Sequence, residues 1–265
     1  MKTTDRLSIT HDGHVAHVLL TRPDKMNALD EAMFDAIVDA GHYLYDQGSV
    51  RCVVLSGAGK SFCAGLDLSS MGREDRWNDA PLTARTHGNA NLPQQAAMVW
   101  RKLPMPVIAA VHGVCFGGGL QIASGPDIRI VAPDARLSIM ETRWGLVPDM
   151  GGYVLWRGNV RDDVLRELIY THREFSGEDA LALGFATHVD ANPLARAMAL
   201  AQEIAAQSPH AIRAAKALSN RMHDLSVDEV LLAESHAQHV LMLSRNQREA
   251  VQAGLERRAA EFVDP

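Results

Sequence analysis

Strands and helices alternate over residues 1–190 and helices alone follow over 191–265, which predicts an α/β core with a C-terminal helical subdomain. Three observations carry this. Residues 107–111, VIAAV, are small or β-branched apolar residues between Pro106 and the His112-Gly113 turn, as a buried strand requires. Gly117, Gly118 and Gly119 then stand at the start of a short helix that closes near Gly125-Pro126. Beyond residue 190, apolar side chains recur at helical spacing over 193–207, 209–220, 226–244 and 246–261. The 265 residues are 47% apolar and 22% charged, enough to bury one large core.

Composition narrows the function classes. A net charge of −6 with no basic stripe argues against a nucleic-acid partner. No run of 18 apolar residues is present, so a membrane partner is not expected. The first residues, MKTTDRLSITHDG, carry no hydrophobic signal region. Three cysteines without a C-x-x-C pair suit a reducing compartment, and the expected location is cytoplasmic.

In chain order, residues 14–20 alternate as an early strand, with His11, His14 and His17 expected to be solvated rather than metal ligands. A turn-rich connection from Arg22 to Leu29 leads to a helix from Asp30, with Met33, Ile37, Ala40 and Leu44 on one side. Residues 51–56 form a buried strand, 57–60 its exit loop, and 61–68 a loop of small residues. Residues 69–92 are polar and aperiodic, with Trp77 as the large aromatic, and suit a lid over a site. A helix over 93–103 leads into the central strand. Short strands follow over 128–132 and 136–139, then a glycine-bounded loop over 140–152 and a capped helix opening at Ser176-Gly177-Glu178-Asp179. His236 and His239 fall on a late helix as surface residues.

Two stretches point to chemistry. Each glycine of the triplet costs a helix interior roughly 1 kcal/mol against alanine, so propensity does not explain it. Either a negative or developing charge approaches the unpaired N–H groups at the helix start, or the glycines permit close packing. The spacing excludes a G-x-G-x-x-G dinucleotide loop, and Gly59-Lys60-Ser61 lacks the first glycine of a phosphate loop. In the 140–152 loop, Glu141 and Asp149 lie among apolar residues. Dehydration there raises a carboxyl pKa toward neutrality and suits proton transfer, while capping or ion pairing is the alternative for each.

Several motifs together resemble the enoyl-CoA hydratase/isomerase family, the crotonase superfamily: Arg22-Pro23 with Asn27-Ala28-Leu29, then Ser61-Phe62-Cys63-Ala64-Gly65-Leu66-Asp67-Leu68. The block from Ile108 through Gly117-Gly118-Gly119 to Asp127-Ile128, the Gly145-Leu146-Val147-Pro148 to Gly151-Gly152 stretch, and residues 175–184 complete the likeness. The resemblance implies a spiral of stacked ββα units followed by helices that assemble homotrimers or dimers of trimers. It implies an acyl-CoA substrate, with coenzyme A entering as part of that substrate and no resident cofactor or metal. Leu66 N–H and Gly118 N–H would hold the thioester oxygen. Lys25, Ala28, Ala64, Asp67 and Leu68 would seat the adenosine end, with Arg22, Lys25 and Lys60 as candidates for the phosphates.

One departure bears on the reaction. Hydratases of the family carry a glutamate three residues past the middle glycine and another in the later loop. Glu141 matches the second, but Gln121 stands at the first, and an amide cannot take a proton from water. Asp149 matches an acid placed eight residues later in dienoyl-CoA isomerases. The expected reaction is therefore proton transfer with double-bond migration, with Glu141, Asp149 and Gln121 at the reacting carbons. A hydratase in which Gln121 positions water and a noncatalytic acyl-CoA binder are the alternatives. Trp144 and Trp77 are candidates to shape the acyl pocket.

Overall fold

The computed structural model describes residues 2–70 and 81–265. Among these, the main sheet runs in the order β1 (Lys2–Thr3), β2 (Leu7–Asp12), β3 (Val15–Leu20), β4 (Cys52–Gly57), β5 (Val107–Val111), β7 (Ile128–Val131), β10 (His188–Val189). A second, smaller sheet pairs β6 (Val114–Phe116) with β8 (Arg136–Ser138) and β8 with β9 (Phe175–Ser176). The helices are α1 (Glu31–Tyr45), α2 (Leu92–Lys102), α3 (Gly118–Ser124), α4 (Gly152–Trp156), α5 (Asp162–Thr171), α6 (Gly177–Leu183), α7 (Pro193–Ala205), α8 (Pro209–Arg221), α9 (Val227–Leu241) and α10 (Arg245–Glu256).

From β3 onward the main sheet is parallel, so each strand must be followed by a crossover. That crossover repeats one plan. After β3 the chain passes Leu29 and enters α1; after β4 it passes Cys63 to Leu66 on its way to α2; β5 is followed by β6 and α3, and β7 by β8. The middle pieces pair with one another in parallel, Leu29 with Leu66, Cys63 with Cys115, and β6 with β8. This is the expected stack of ββα units, and its second layer becomes visible only through these pairings.

Strand periodicity explains the two cores. In β4, Val53 and Leu55 face a large cluster that includes Ile37 and Trp100, whereas Cys52 and Val54 face Ala197, Ala201 and Ala205 of α7. The small side chains of α7 let it lie close against the sheet. Helix α1 begins where Asp30 accepts a hydrogen bond from Met33 N, and it buries Met33, Ile37, Ala40 and Leu44 as their spacing predicts. Buried Lys216 of α8 donates to Asp127 Oδ2 at 2.8 Å and to the carbonyls of Trp100 and Met105. That contact ties the late helices to the mouth of β5.

Some readings need correction. His17 is half-buried, its Nε2 lies 2.8 Å from Ser56 Oγ, and burial lowers its pKa, so it is not a freely solvated side chain. Strand β2 and helices α4 and α5 lie in stretches to which the periodicity assigned nothing. Trp144 is 48% exposed. Trp77 and residues 71–80 of the expected lid lie outside the described residues. No helix among the described residues is long and apolar enough to cross a membrane. The three cysteines are free and buried, and burial pushes the thiols of Cys52 and Cys63 up to about 12, which suits packing rather than nucleophilic work.

Candidate active site

The repeated turns bring three equivalent points of the chain together, each just past a second-layer segment: Leu66, Gly118 and Glu141. At the first, Leu29 N donates to Gly65 O (2.8 Å) and Asp67 N donates to Leu29 O (3.0 Å). Those bonds use the residues on either side, so Leu66 N–H points away from Leu29. Gly118 is the first residue of α3 and carries one of the N–H groups that a helix start leaves free. Neither N–H has an acceptor among the described residues. The two segments touch, since a methyl on Gly65 would meet Phe116 O at 2.7 Å and Gly118 N at 3.6 Å.

Each glycine of the triplet has its own reason. Gly117 adopts φ +50 and ψ −118, which a side chain would strain, and its α-carbon faces the carboxylate of Glu141. A methyl on Gly118 would meet Met150 Sδ at 2.8 Å and Leu29 Cδ1 at 2.9 Å. One on Gly119 would meet Cys63 O at 2.4 Å. Close packing and an open helix start are both present, and Gly118 combines the two.

Glu141 opens the short 3-10 turn Glu141–Trp144, which is held against α5 by the Thr142 hydroxyl donating to Ile169 O at 2.6 Å. Glu141 Oε1 accepts from Gln121 Nε2 at 2.6 Å, whereas Oε2 is buried and has no hydrogen-bond partner. Burial raises the Glu141 pKa, against the pull of its hydrogen bonds, and the charge of Asp149 raises it further. Partial burial raises Asp149 in the same direction, although that carboxyl keeps contact with solvent. Gln121, only 1% exposed, accepts through Oε1 from Met150 N (2.9 Å) and Gly152 N (3.0 Å). One amide thus joins Glu141 to the turn that follows Asp149.

The remaining sequence-marked residues gather beside Leu66. Ala64 N donates to Met26 O at 2.9 Å, bringing Ala64, Asp67 and Leu68 against the turn that carries Lys25 and Ala28. That turn holds Met26 and Asn27 at φ 49 and φ 54, stabilised by the buried Asn27 amide, which donates to the carbonyls of Ala58, Ser61 and Phe62. Asn27 stood in a recognised motif, but its part as the staple of this loop depends on contacts far along the chain. Arg22 is not free to meet a phosphate: its Nη1 lies 2.7 Å from Asp67 Oδ2, 3.6 Å from Asp30 Oδ2, and donates to Ala28 O. Lys25 and Lys60 are exposed.

A family model described as enoyl-CoA hydratase/isomerase matches residues 10–265. The chain belongs to the enoyl-CoA hydratase/isomerase family. It is an enzyme of that family by its relatives, which sets aside the noncatalytic reading. It is 34% identical over 262 residues to the mitochondrial Delta(3,5)-Delta(2,4)-dienoyl-CoA isomerase of Mus musculus, covering 94% of this chain and 79% of that protein. It is 30% identical over 255 residues to an enoyl-CoA hydratase of Mycobacterium tuberculosis, covering 94% and 93%. The crystal structure of enoyl-CoA hydratase from Bacillus anthracis superposes with a TM-score of 0.89 at 27% identity, covering 97% of this chain and 98% of that one. The crotonase fold expected from the motifs is therefore the fold of this chain.

Proposed function

We propose that this enzyme moves a carbon–carbon double bond along an acyl-CoA thioester. Glu141 takes a proton from the carbon next to the thioester or from its vinylogous position, and the C–H electron pair passes to the thioester oxygen. Leu66 N–H and Gly118 N–H hold that oxygen as its charge develops, when such donors contribute most. Glu141 or Asp149 returns the proton at the other end of the conjugated system, and the substrate leaves with its composition unchanged. The chemistry needs no resident cofactor. Backbone around Lys25, Ala28, Ala64, Asp67 and Leu68 seats the adenosine end of coenzyme A, with Lys25 and Lys60 toward the phosphates.

The observation that carries this reading is a dehydrated carboxylate, Glu141, whose partner at position 121 is an amide rather than a second carboxylate. Asp149 supplies a further acid, and the mouse relative named as a dienoyl-CoA isomerase agrees with it. Water addition is the second reading, favoured by the relatives named as hydratases. Incubating the purified protein with 2-enoyl-, 3-enoyl- and 3,5-dienoyl-CoA separates them: isomerisation leaves substrate mass unchanged and moves vinyl protons in the NMR spectrum, whereas hydration adds the mass of water. Only hydrated products would reject the isomerase reading.

The working form is proposed to be a homotrimer or a dimer of trimers. Helix α9 buries none of its residues and exposes Val227, Leu231, Leu232 and Val240, more apolar surface than a lone helix face usually leaves to water.

A further inference from the structure

Both ends of the Gln121 amide are committed. Met150 N–H and Gly152 N–H can only donate, so the atom they meet must be the amide oxygen, and the nitrogen necessarily faces Glu141. Two lone pairs of Oε1 are thereby used on the turn next to Asp149, and one N–H of Nε2 is used on Glu141 Oε1. Glu141 Oε2 is left with neither a donor nor water-exposed area. Of two oxygens on this carboxylate, only Oε2 keeps its lone pairs free of a hydrogen bond.

We infer that Gln121 is a positioning residue that orients the Glu141 carboxylate through Oε1 and holds it in register with the Asp149 turn through a single amide. The inference rests on the reading of Glu141 as the base, but not on which acyl-CoA reaction follows. It explains why an amide is present: a donor to Glu141 and a double acceptor for two backbone N–H groups are needed at once. A carboxylate offers only the acceptors unless it holds a proton. The charged group that acts on Glu141 from the surrounding elements is Asp149; α3 presents the neutral Gln121, and α5 meets the same turn through the Ile169 carbonyl.

Two variants test this, Gln121→Glu and Gln121→Met, with two readouts. The first is the titration of the Glu141 side-chain carboxyl followed by carbon NMR, which needs no substrate. In Gln121→Met the donor is lost, and the Glu141 titration should move to higher pH as one step. In Gln121→Glu two carboxyl groups lie within hydrogen-bond distance and share a proton, so the titration should split into two coupled steps. The second readout is exchange of acyl-CoA α-protons with deuterated water. A protonated glutamic acid has a carbonyl acceptor and an O–H donor and so restores the wiring of the amide. Gln121→Glu should therefore exchange at a rate near that of the wild type in acid and fall by about tenfold or more relative to it as the shared proton leaves.

A packing role alone would change thermal stability in both variants and leave the Glu141 titration in place. A single, unshifted titration of Glu141 in both folded variants would overturn the inference. If one variant does not fold, the other still decides it by the same titration. A wild type that only hydrates would reject the isomerase reading while leaving this test intact, because the titration is read without turnover.

Discussion

Arg22 Nη1 lies 2.7 Å from Asp67 Oδ2, one residue beyond the N–H of Leu66. The same guanidinium reaches Asp30, the cap of α1, so one side chain braces the first turn of the spiral against the second. The Ser69 hydroxyl, together with Arg22, holds the Asp67 carboxyl down at about 2. Because this folded value lies below that of an unfolded aspartate, the stabilisation is present above about pH 4 and disappears as pH falls through about 2. Asp67→Asn should lower the melting temperature at pH 7, with the gap to wild type closing in acid. It should also reduce turnover, by up to about 10²-fold if Leu66 N–H moves by 1 Å. Melting curves at pH 7 and pH 3 with steady-state rates check both, and equal gaps at the two pH values would show that the ion pair does not stabilise the loop.

Replacing Glu141 by Gln keeps its shape and removes its basicity. The rate should fall by about 10²–10⁴, the usual worth of a positioned general base. Stability should move the other way. The folded pKa of Glu141 is raised, so its ionised form opposes folding above the unfolded pKa, and that opposition disappears in acid. Glu141→Gln should therefore melt higher than the wild type at pH 7 and no higher near pH 3. Unchanged turnover would remove Glu141 from the reaction.

Asp149→Asn separates two kinds of substrate. Where Glu141 both removes and returns the proton, as for a 3-enoyl-CoA, the variant should lose only a few-fold in rate. Where the proton returns farther along a 3,5-dienoyl chain, the loss should approach that of Glu141→Gln, about 10²-fold or more. Equal losses on both substrates would mean Asp149 acts through the turn at Met150 and not on the distant carbon.

Leu66→Pro deletes the N–H that faces away from Leu29 while leaving the flanking hydrogen bonds of Gly65 O and Asp67 N available. Loss of one such donor costs about 2.7–4 kcal/mol of transition-state stabilisation, or about 10²–10³ in turnover. Affinity for an unreactive acyl-CoA should change less, because the bond strengthens only as the oxygen gains charge. Calorimetric affinity and turnover measured on the same folded variant would expose a mere binding defect, in which both fall together.

Lys216→Met strands Asp127, whose Oδ2 then keeps only Val107 N. Asp127 keeps contact with solvent and is not left as a buried charge, so what is lost is chiefly the lysine's charged hydrogen bond to it, and a fall of about 1.5–3 kcal/mol is expected in urea unfolding. A change below about 1 kcal/mol would show that the ion pair adds little to stability.

Local order was legible in this chain. The central strand at Val107–Val111, the glycine start of α3, the Asp30 cap and the apolar stripe of α1 all follow from nearest neighbours and side-chain periodicity, which act over a few residues. Glu141 and Asp149 stood out for the same reason, as carboxylates among apolar neighbours in one loop. The pairing of Cys63 with Cys115, and of Leu29 with Leu66, joins residues 52 and 37 apart and has no periodic signature, so the second layer was invisible until the turns were stacked. Stacking also turned Arg22 from a candidate phosphate ligand into the partner of Asp67. It set the Gln121 amide between Glu141 and the backbone of Met150 and Gly152, 29 and 31 residues away. A side chain's chemistry is local, but its partners are those that chain closure and burial bring within 3 Å, and these depend on where every other turn of the spiral packs.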